Sequence, residues 1–423
     1  MKNHPPKKVG ACLLRLFFSA FKIIEKPFLL CYNCSIMRLA AKGGNIMSTE
    51  LPRTYKSWLK GEIKSKQKEY TEETPLLSED GTLLAPGWAR HMLFTYDNKK
   101  VKHPMRSKEW DFYQICNGKY MVQISFANIS FGGYVSAVLI DVTDPEKSKK
   151  LGGGTIAGST ALFVGGKNKY TLPPKGDVPN NVKYTVTGIG KADFEFDTRE
   201  TERSLHFKGK SKGKDVVCDF TMDIPEGLEN ITTVLPFKGY PDRFFMTTKQ
   251  NCMPCSGTFR FGDDVYEFSK EDTFACLDWG RVNTPYQLVW YWGNGSTYLT
   301  DENGQKHIFG FEITWGIGDE SNATETCIFY DGKAHKFGPV DVEVFPKPDK
   351  YLEPWHFVSE DGRFDFTMKP QFDNHNDTNV LNALRMHSHQ VHGRWSGTAI
   401  LDDGTKIVVD DMYAFCEYVE NKW

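Results

Sequence analysis

This 423-residue chain has no apolar run long enough to cross a bilayer as a helix. Its most apolar stretch, CLLRLFFSAFKIIEKPFLLCYNC near the N-terminus, is interrupted by Arg15, Lys22, Glu25 and Lys26, whereas a span needs ~20 predominantly apolar residues. A transmembrane helix is therefore excluded. Clustered basic charge is also missing. Of 52 Lys and Arg against 54 Asp and Glu, residues 1–46 hold eight basic side chains and only Glu25 as an acid, leaving 44 basic against 53 acidic in the rest. Phosphate contacts need concentrated Lys and Arg, so no nucleic-acid partner is expected; the one lysine cluster, KGKSKGK at 208–214, reads as a solvated hairpin tip.

Several chemical signatures are absent as well. No G-x-S-x-G elbow occurs, so a hydrolase has no nucleophile to start from. GGGTIAGS at 152–159 lacks the following helix and the Gly-Lys-Ser/Thr of a phosphate loop, and reads as a flexible loop. The ten cysteines form no regular framework, and several sit in apolar strand patterns where a free thiol behaves as a small hydrophobe; a reducing, cytoplasmic setting is expected. CYNC at 31–34 and CMPC at 252–255 have zinc-knuckle spacing but lie more than 200 residues apart, and a lone C-x-x-C is a weak signal. No cofactor is expected. Residues 1–46 suit a targeting peptide, an interfacial helix, or sequence upstream of a start at Met47.

What the chain has is aromatic residues, 14% of the total, enough to demand large buried apolar areas. One amphipathic helix is expected within 47–75, at YKSWLKGEIKSKQKEY (55–70). Beyond it, period-2 alternation and turn residues recur to the C-terminus. Asp263-Asp264, Asp331-Gly332 and Asp403-Gly404 mark hairpin turns. In HIFGFEITWGIG, Phe309, Phe311, Ile313, Trp315 and Ile317 share one face, with Glu312 and Thr314 on the other. Many short antiparallel strands imply closed barrels or sandwiches, because open sheets leave edges unpaired. Length suits two domains, divided at PDRFFMTTKQNCMPCSG near residue 250, giving 76–250 and 251–423. A faint echo between DFYQICNGKYMVQISF and QLVWYWGNGSTYLT, each reading as aromatic strand, Asn-Gly turn and next strand, hints at duplication.

The densest stretch is FACLDWGRVNTPYQLVWYWGNGS, 274–296. Tyr286, Leu288, Trp290 and Trp292 fall on one face of a strand and Gln287, Val289 and Tyr291 on the other. Such a wall can be core or can line a ligand cavity, and Asp278 with Arg281 could form a salt bridge or polarise a ligand. In H-x-H-x-x-H, His387 and His389 point to one side of a strand and His392 to the other, so the motif lacks a third metal ligand on that face; no metal site is expected.

TTKQNCMPCSGTFRFGDDVYEF, FACLDWGRVNTPYQLVWYWG, TETCIFYDGKAHKF, EPWHF, the HQVHGRWSG block and the closing CEYVENKW together resemble the family called domain of unknown function 2804, in order from about Leu76 to Trp423. The resemblance implies an all-β, calycin-type architecture of two lipocalin-like antiparallel barrels in tandem, similar to carotenoid hydratases and AttH-like proteins that act on long apolar molecules; it implies no established activity. Where the resemblance leads one to expect Gly-Val-Trp-Pro-Tyr, this chain has Val282-Asn283-Thr284-Pro285-Tyr286, and Thr324-Glu325-Thr326 replaces an expected Thr-Glu-Asn.

The resulting expectation is a protein that binds an apolar or amphipathic small molecule within or between barrels, with hydration, isomerisation or cyclisation as the reaction classes. Asp278 or Glu325 would act as general acid, with Arg281, Tyr286, Trp290, Trp292, Trp355, His356 and His389 as ligand contacts. A non-catalytic carrier, or a structural protein in which these residues brace a seam, needs the same residues without convergent acid and base.

Overall fold

The computed structural model describes residues 65–165, 169–344, 350–380 and 384–422. The 1–46 leader and most of the expected helix lie outside these residues. The described end of that segment is extended, not helical: the Lys66 and Lys68 backbone amides donate to the carbonyls of Ser321 and Asn322 at 2.9 and 2.7 Å, and Tyr70 donates to Trp88 at 2.8 Å. Bonding to the backbone of the 316–326 loop and of Gly87–Ala89 satisfies these amides better than a lone solvated turn, for which nucleation is costly. The described residues contain strands and short 3-10 turns but no α-helix.

Two curled sheets make up the body. In the first, Ser107–Cys116, Tyr120–Asn128, Gly132–Asp141 and Thr155–Val164 form an up-and-down run. Asn180–Gly188, Gly190–Thr198, Glu202–Ser211, Lys214–Asp223, Tyr240–Phe261 and Phe274–Asn283 continue it, and the last strand pairs back onto the first. Between the fourth and fifth strands the circle is completed by Leu162 and Ile189, whose amides and carbonyls bond reciprocally at 2.9 and 3.0 Å. Closure removes the exposed edges that an open sheet would present.

The second sheet repeats this plan. Gln287–Thr300, Lys306–Trp315, Cys327–Tyr330 and Lys333–Lys336 run in order. After a break, Val340–Val344, Trp355–Ser359, Phe364–Val380, Leu384–Ile400 and Lys406–Lys422 return until the last pairs with the first. Among the described residues the ladder is missing between Lys333–Lys336 and Val340–Val344, where Phe337 stacks on Phe364 with centroids 5.2 Å apart. The protein is thus two lipocalin-like β-barrels in tandem. The sheets change over between Asn283 and Gln287, while residue 250 falls inside Tyr240–Phe261, the longest strand of the first barrel.

Aromatic packing fills both interiors. Phe126, Phe163, Phe194 and Phe196 stack within the first; Tyr291, Trp315, Phe357 and Trp395 do so within the second. Buried Phe and Trp contribute ~1.5–3 kcal/mol or more each, and they leave the remaining space outside the barrels. Strand parity then decides the rest: side chains alternating with these point outward, and on the facing strands of the two barrels they meet at a seam.

Three local readings change with the structure. Thr155–Ser159 of the Gly-rich stretch belongs to a strand, and a Cβ on Gly154 would stand 2.5 Å from the Phe372 ring and 2.6 Å from the Asp141 carbonyl, so its glycine permits a close barrel-to-barrel approach. Asn294-Gly295 is no turn; both residues lie mid-strand, paired to Glu312 and Phe311 on one side and to Phe415 and Ala414 on the other. The likeness between the two halves lies in their circular strand order instead. The CMPC segment sits at a bulge in Tyr240–Phe261, with Cys252 at φ 61°, which directs its amide to Ser296 Oγ of the second barrel at 3.2 Å. Burial pushes the Cys252 thiol up to about 12, the state of an inert structural cysteine.

Candidate functional site

Outward-facing residues of both barrels enclose a cavity of about 840 Å³ at the seam, within the range of ligand-binding pockets. From the first barrel come Phe112, Gln123, Lys249 and Asp278; from the second come Trp290, Trp292, Gln390 and Glu417, with Glu325 from the 316–326 loop. None of these side chains belongs to a barrel core: those on strands lie on the face opposite the core residues, and Glu325 reaches the cavity from its loop.

Lys249 lies opposite Asp278 in the register of adjacent strands, and its Nζ stands 3.0 Å from Asp278 Oδ1 and 4.1 Å from the centre of the Trp292 ring. Burial disfavours the ammonium, yet Asp278, Glu325 and Glu312 outweigh it and hold Lys249 above the usual lysine range. Asp278 and the Trp292 face are therefore engaged with a fixed cation. Glu325 is buried and accepts from Thr247 Oγ1, while its Oε2 has no partner.

Across the cavity, Glu417 pairs in register with Trp292. It accepts from Trp290 Nε1 at 3.0 Å and from Gln390 Nε2 at 3.1 Å. Burial raises it to about 7 against the opposing pull of Trp290 and Lys249, so neutral and charged forms coexist near neutrality. Gln390 Oε1 accepts from Gln123 Nε2 at 2.9 Å, and Gln123 in turn donates to Gln114 at 3.2 Å; an amide chain thus crosses the seam beside the acid. Behind Trp292, Glu312 is fully buried, accepts from Asn294 at 2.9 Å, and is raised to about 8 mainly by burial. Lys108, elsewhere on the cavity wall, is lowered to about 7 by burial and the nearby Arg106 and Arg243.

Other sequence-nominated residues are placed elsewhere. Arg281 is three residues from Asp278 and faces the opposite side. It is fully buried, pairs with Asp111 at 3.0 Å, donates to the Pro173 and Trp110 carbonyls at 2.9 Å, and stacks 4.1 Å from Trp279. Tyr286 is in the exposed connection between barrels, under the Arg106 guanidinium. Trp355 is in the second core, its Nε1 donating to the Tyr351 carbonyl at 3.1 Å, and His356 on the opposite face meets Asp365 at 2.8 Å. His389 lies on the inner face of the second barrel, donating to Asp373 at 2.7 Å and stacked against Tyr351 and His375. His375 is lowered to about 4, first by burial and then by His389. Thr284, at the expected Trp position, lines the cavity; Thr326 does not, and donates to the Phe337 carbonyl at 2.7 Å.

Lys249, Glu312, Gln390 and Glu417 were not singled out from sequence. Glu312 in FGFEITW and Glu417 in YAFCEYV carried a signal, an acid inside an otherwise apolar strand, whereas Lys249 sits in the polar run TTKQN and carried none. Buried charge of this kind persists only with partners, and those partners come from other strands.

Fold and site together define a tandem β-barrel protein with filled barrels and an acid-lined cavity at their seam. The chain belongs to the family described as domain of unknown function (DUF2804), whose profile matches residues 67–423. No curated protein matches it. Among solved structures it is similar to a putative AttH from Nitrosomonas europaea, at 12% identity and a TM-score of 0.41, covering 77% of this chain and 96% of that one. It is also similar to kievitone hydratase from Nectria haematococca, at 10% identity and a TM-score of 0.40, covering 83% and 97%. Among the described residues no helix is long and apolar enough to cross a membrane.

Proposed function

We propose that the protein binds an apolar or amphipathic small molecule in the seam cavity and transfers a proton to it, in a hydration, isomerisation or cyclisation. The observation that carries this reading is Glu417, a carboxyl raised to about 7 on the cavity wall, opposite a fixed Lys249–Asp278 pair. A proton donor works best with a pKa near the working pH, and Trp290 and Gln390 orient it. Glu325, whose Oε2 makes no hydrogen bond, is the carboxyl that faces positive charge developing on the ligand, since Asp278 is held by Lys249, and Trp290 provides an aromatic face beside it.

The test uses two probes. Binding of cis-parinaric acid, followed by its fluorescence, should weaken at least ~10-fold when Ser136→Trp fills the cavity from the first-barrel wall; unchanged binding would place the ligand elsewhere. Ligand extracted from protein purified from its host, identified by mass, then serves as substrate. Glu417→Gln should retain it while losing ~100-fold or more in turnover, the usual size of a general-acid contribution. Full turnover by Glu417→Gln would sink the acid role, and ligand retention without any turnover in the wild type would make the protein a carrier.

A further inference from the structure

The histidines nominated by H-x-H-x-x-H do not form one cluster, because His392 leaves the group for a buried position against Phe372, Tyr413 and Phe415. The neighbouring strand supplies a replacement. His375 lies directly opposite His389 in the register, and His387 is two residues along. All three therefore share one face, the inner side of the second barrel. Asn374, Asn376, Ser388 and Gln390, which alternate with them, line the seam cavity on the other side of the sheet.

We propose that His375, His387 and His389 bind one divalent transition-metal ion of the zinc class at the end of the second barrel, with a fourth coordination position left open. One imidazole nitrogen from each lies within 4.8 Å of the others. A tetrahedral ion with metal–nitrogen bonds of ~2.0–2.1 Å needs nitrogens about 3.3 Å apart, a gap that small rotations of the rings close. Two ring nitrogens of the group make no hydrogen bond: His375 Nε2 and His387 Nδ1 are buried without one, a costly condition for polar atoms, with Asp377 Oδ1 standing 3.9 Å from the latter. His389 spends Nδ1 on Asp373 at 2.7 Å, which fixes its tautomer and leaves Nε2 with a lone pair. This carboxylate–histidine arrangement is the usual outer support of a metal ligand. Tyr351 stacks 3.7 Å from His389 and holds the ring plane.

Three imidazoles without a thiolate suit zinc, cobalt, nickel or copper rather than magnesium or calcium, and three protein ligands leave room for water or an anion. The site is separate from the seam cavity and does not rest on the acid–base reading above.

The full chain, stripped with chelator and dialysed, is titrated with Co²⁺ while visible absorption is recorded, and Zn²⁺ is then used to displace it. One equivalent should bind with the intense bands of a tetrahedral site, and Zn²⁺ should raise the melting temperature. His375→Asn and His387→Asn should each weaken binding at least 100-fold, whereas Asp373→Asn, which removes only the support, should weaken it roughly 10- to 100-fold. Absence of the cobalt bands in the wild-type chain overturns the proposal. So does undiminished affinity in either histidine variant, since that would place the ion on other residues. If the histidine variants fail to fold, the wild-type titration and Asp373→Asn still decide the matter: unchanged affinity in the latter counts against the site.

Discussion

Removing the Arg281 guanidinium would strand the Asp111 carboxylate in the first barrel, because Arg281 is its ion-pair partner and both are buried. Loss of one member of a buried pair costs ~3–5 kcal/mol, so Arg281→Met should lower the denaturant midpoint sharply while leaving ligand affinity per folded molecule unchanged. A variant as stable as wild type would show that Asp111 finds another donor. Glu417 predicts a pH effect with the opposite sign to that of an ordinary paired carboxylate. Its pKa rises from 4.5 to about 7 in the folded protein, so the folded state binds the extra proton between those values. Stability associated with this group is therefore fully present below about 4.5 and is lost as pH rises through about 7. Glu417→Gln cannot ionise. Relative to wild type it should gain stability between pH 5 and pH 8, by up to about 3 kcal/mol from the size of the shift; equal differences in urea midpoint at the two pH values would refute the buried-acid assignment. The salt bridge between Asp278 and Arg281 that the sequence suggested does not form; residues three apart on a strand face opposite ways, a signal that the reading of this pair did not use. What parity could not give was the identity of the partners, Lys249 and Asp111, which lie 29 and 170 residues away in sequence.

Among the elements, Phe274–Asn283 and Gln287–Thr300 explain why 274–296 is so aromatic. The first is the closing strand of one barrel and the second the opening strand of the next, and both have one face in a barrel core and the other in the seam. Strands buried on both sides lose the polar alternation that marks a solvated face. The same burial explains why Asn294-Gly295 misread as a turn: Asn294 faces Glu312 across the sheet and donates to it, so a residue that usually marks a loop serves a buried carboxyl. Closeness of the strands also makes Gly280 a sensitive position. A Cβ there would fall 2.1 Å from the Trp110 indole, which lies over the glycine and lines the cavity. Gly280→Ala should displace that ring, costing ~1–3 kcal/mol as overpacking does, and should alter tryptophan fluorescence and cis-parinaric acid binding together. A stability loss with unchanged binding would mean that Trp110 does not shape the ligand site.

For the molecule as a whole, strand character was visible in periodicity and two units in chain length, whereas barrels rather than sandwiches came only from the family resemblance; the boundary was not legible, because Pro and Cys near residue 250 mark a bulge inside a strand rather than a linker. The Gln250–Met253 bulge is where the first barrel grips the second, through Asn251 donating to the Phe311 carbonyl at 3.2 Å and through the Cys252 amide. The two candidate division points predict different outcomes when the chain is cut. A protease site inserted at the exposed Tyr286 interrupts no ladder, so each half keeps its complete circular strand order. The cut halves should stay together, since separation would expose Trp290, Trp292 and Glu312 and would remove the second-barrel carboxylates that help hold the Lys249 charge. Co-elution on size exclusion in moderate salt is the expected result. A cut after Gln250 instead severs Tyr240–Phe261 and detaches the closing strand Phe274–Asn283 from the first fragment, leaving Ser107–Cys116 with an unpaired edge of the kind that aggregates. Soluble, separable fragments from the cut at 250, together with dissociation or precipitation after the cut at 286, would show that the folding unit does not follow the sheets.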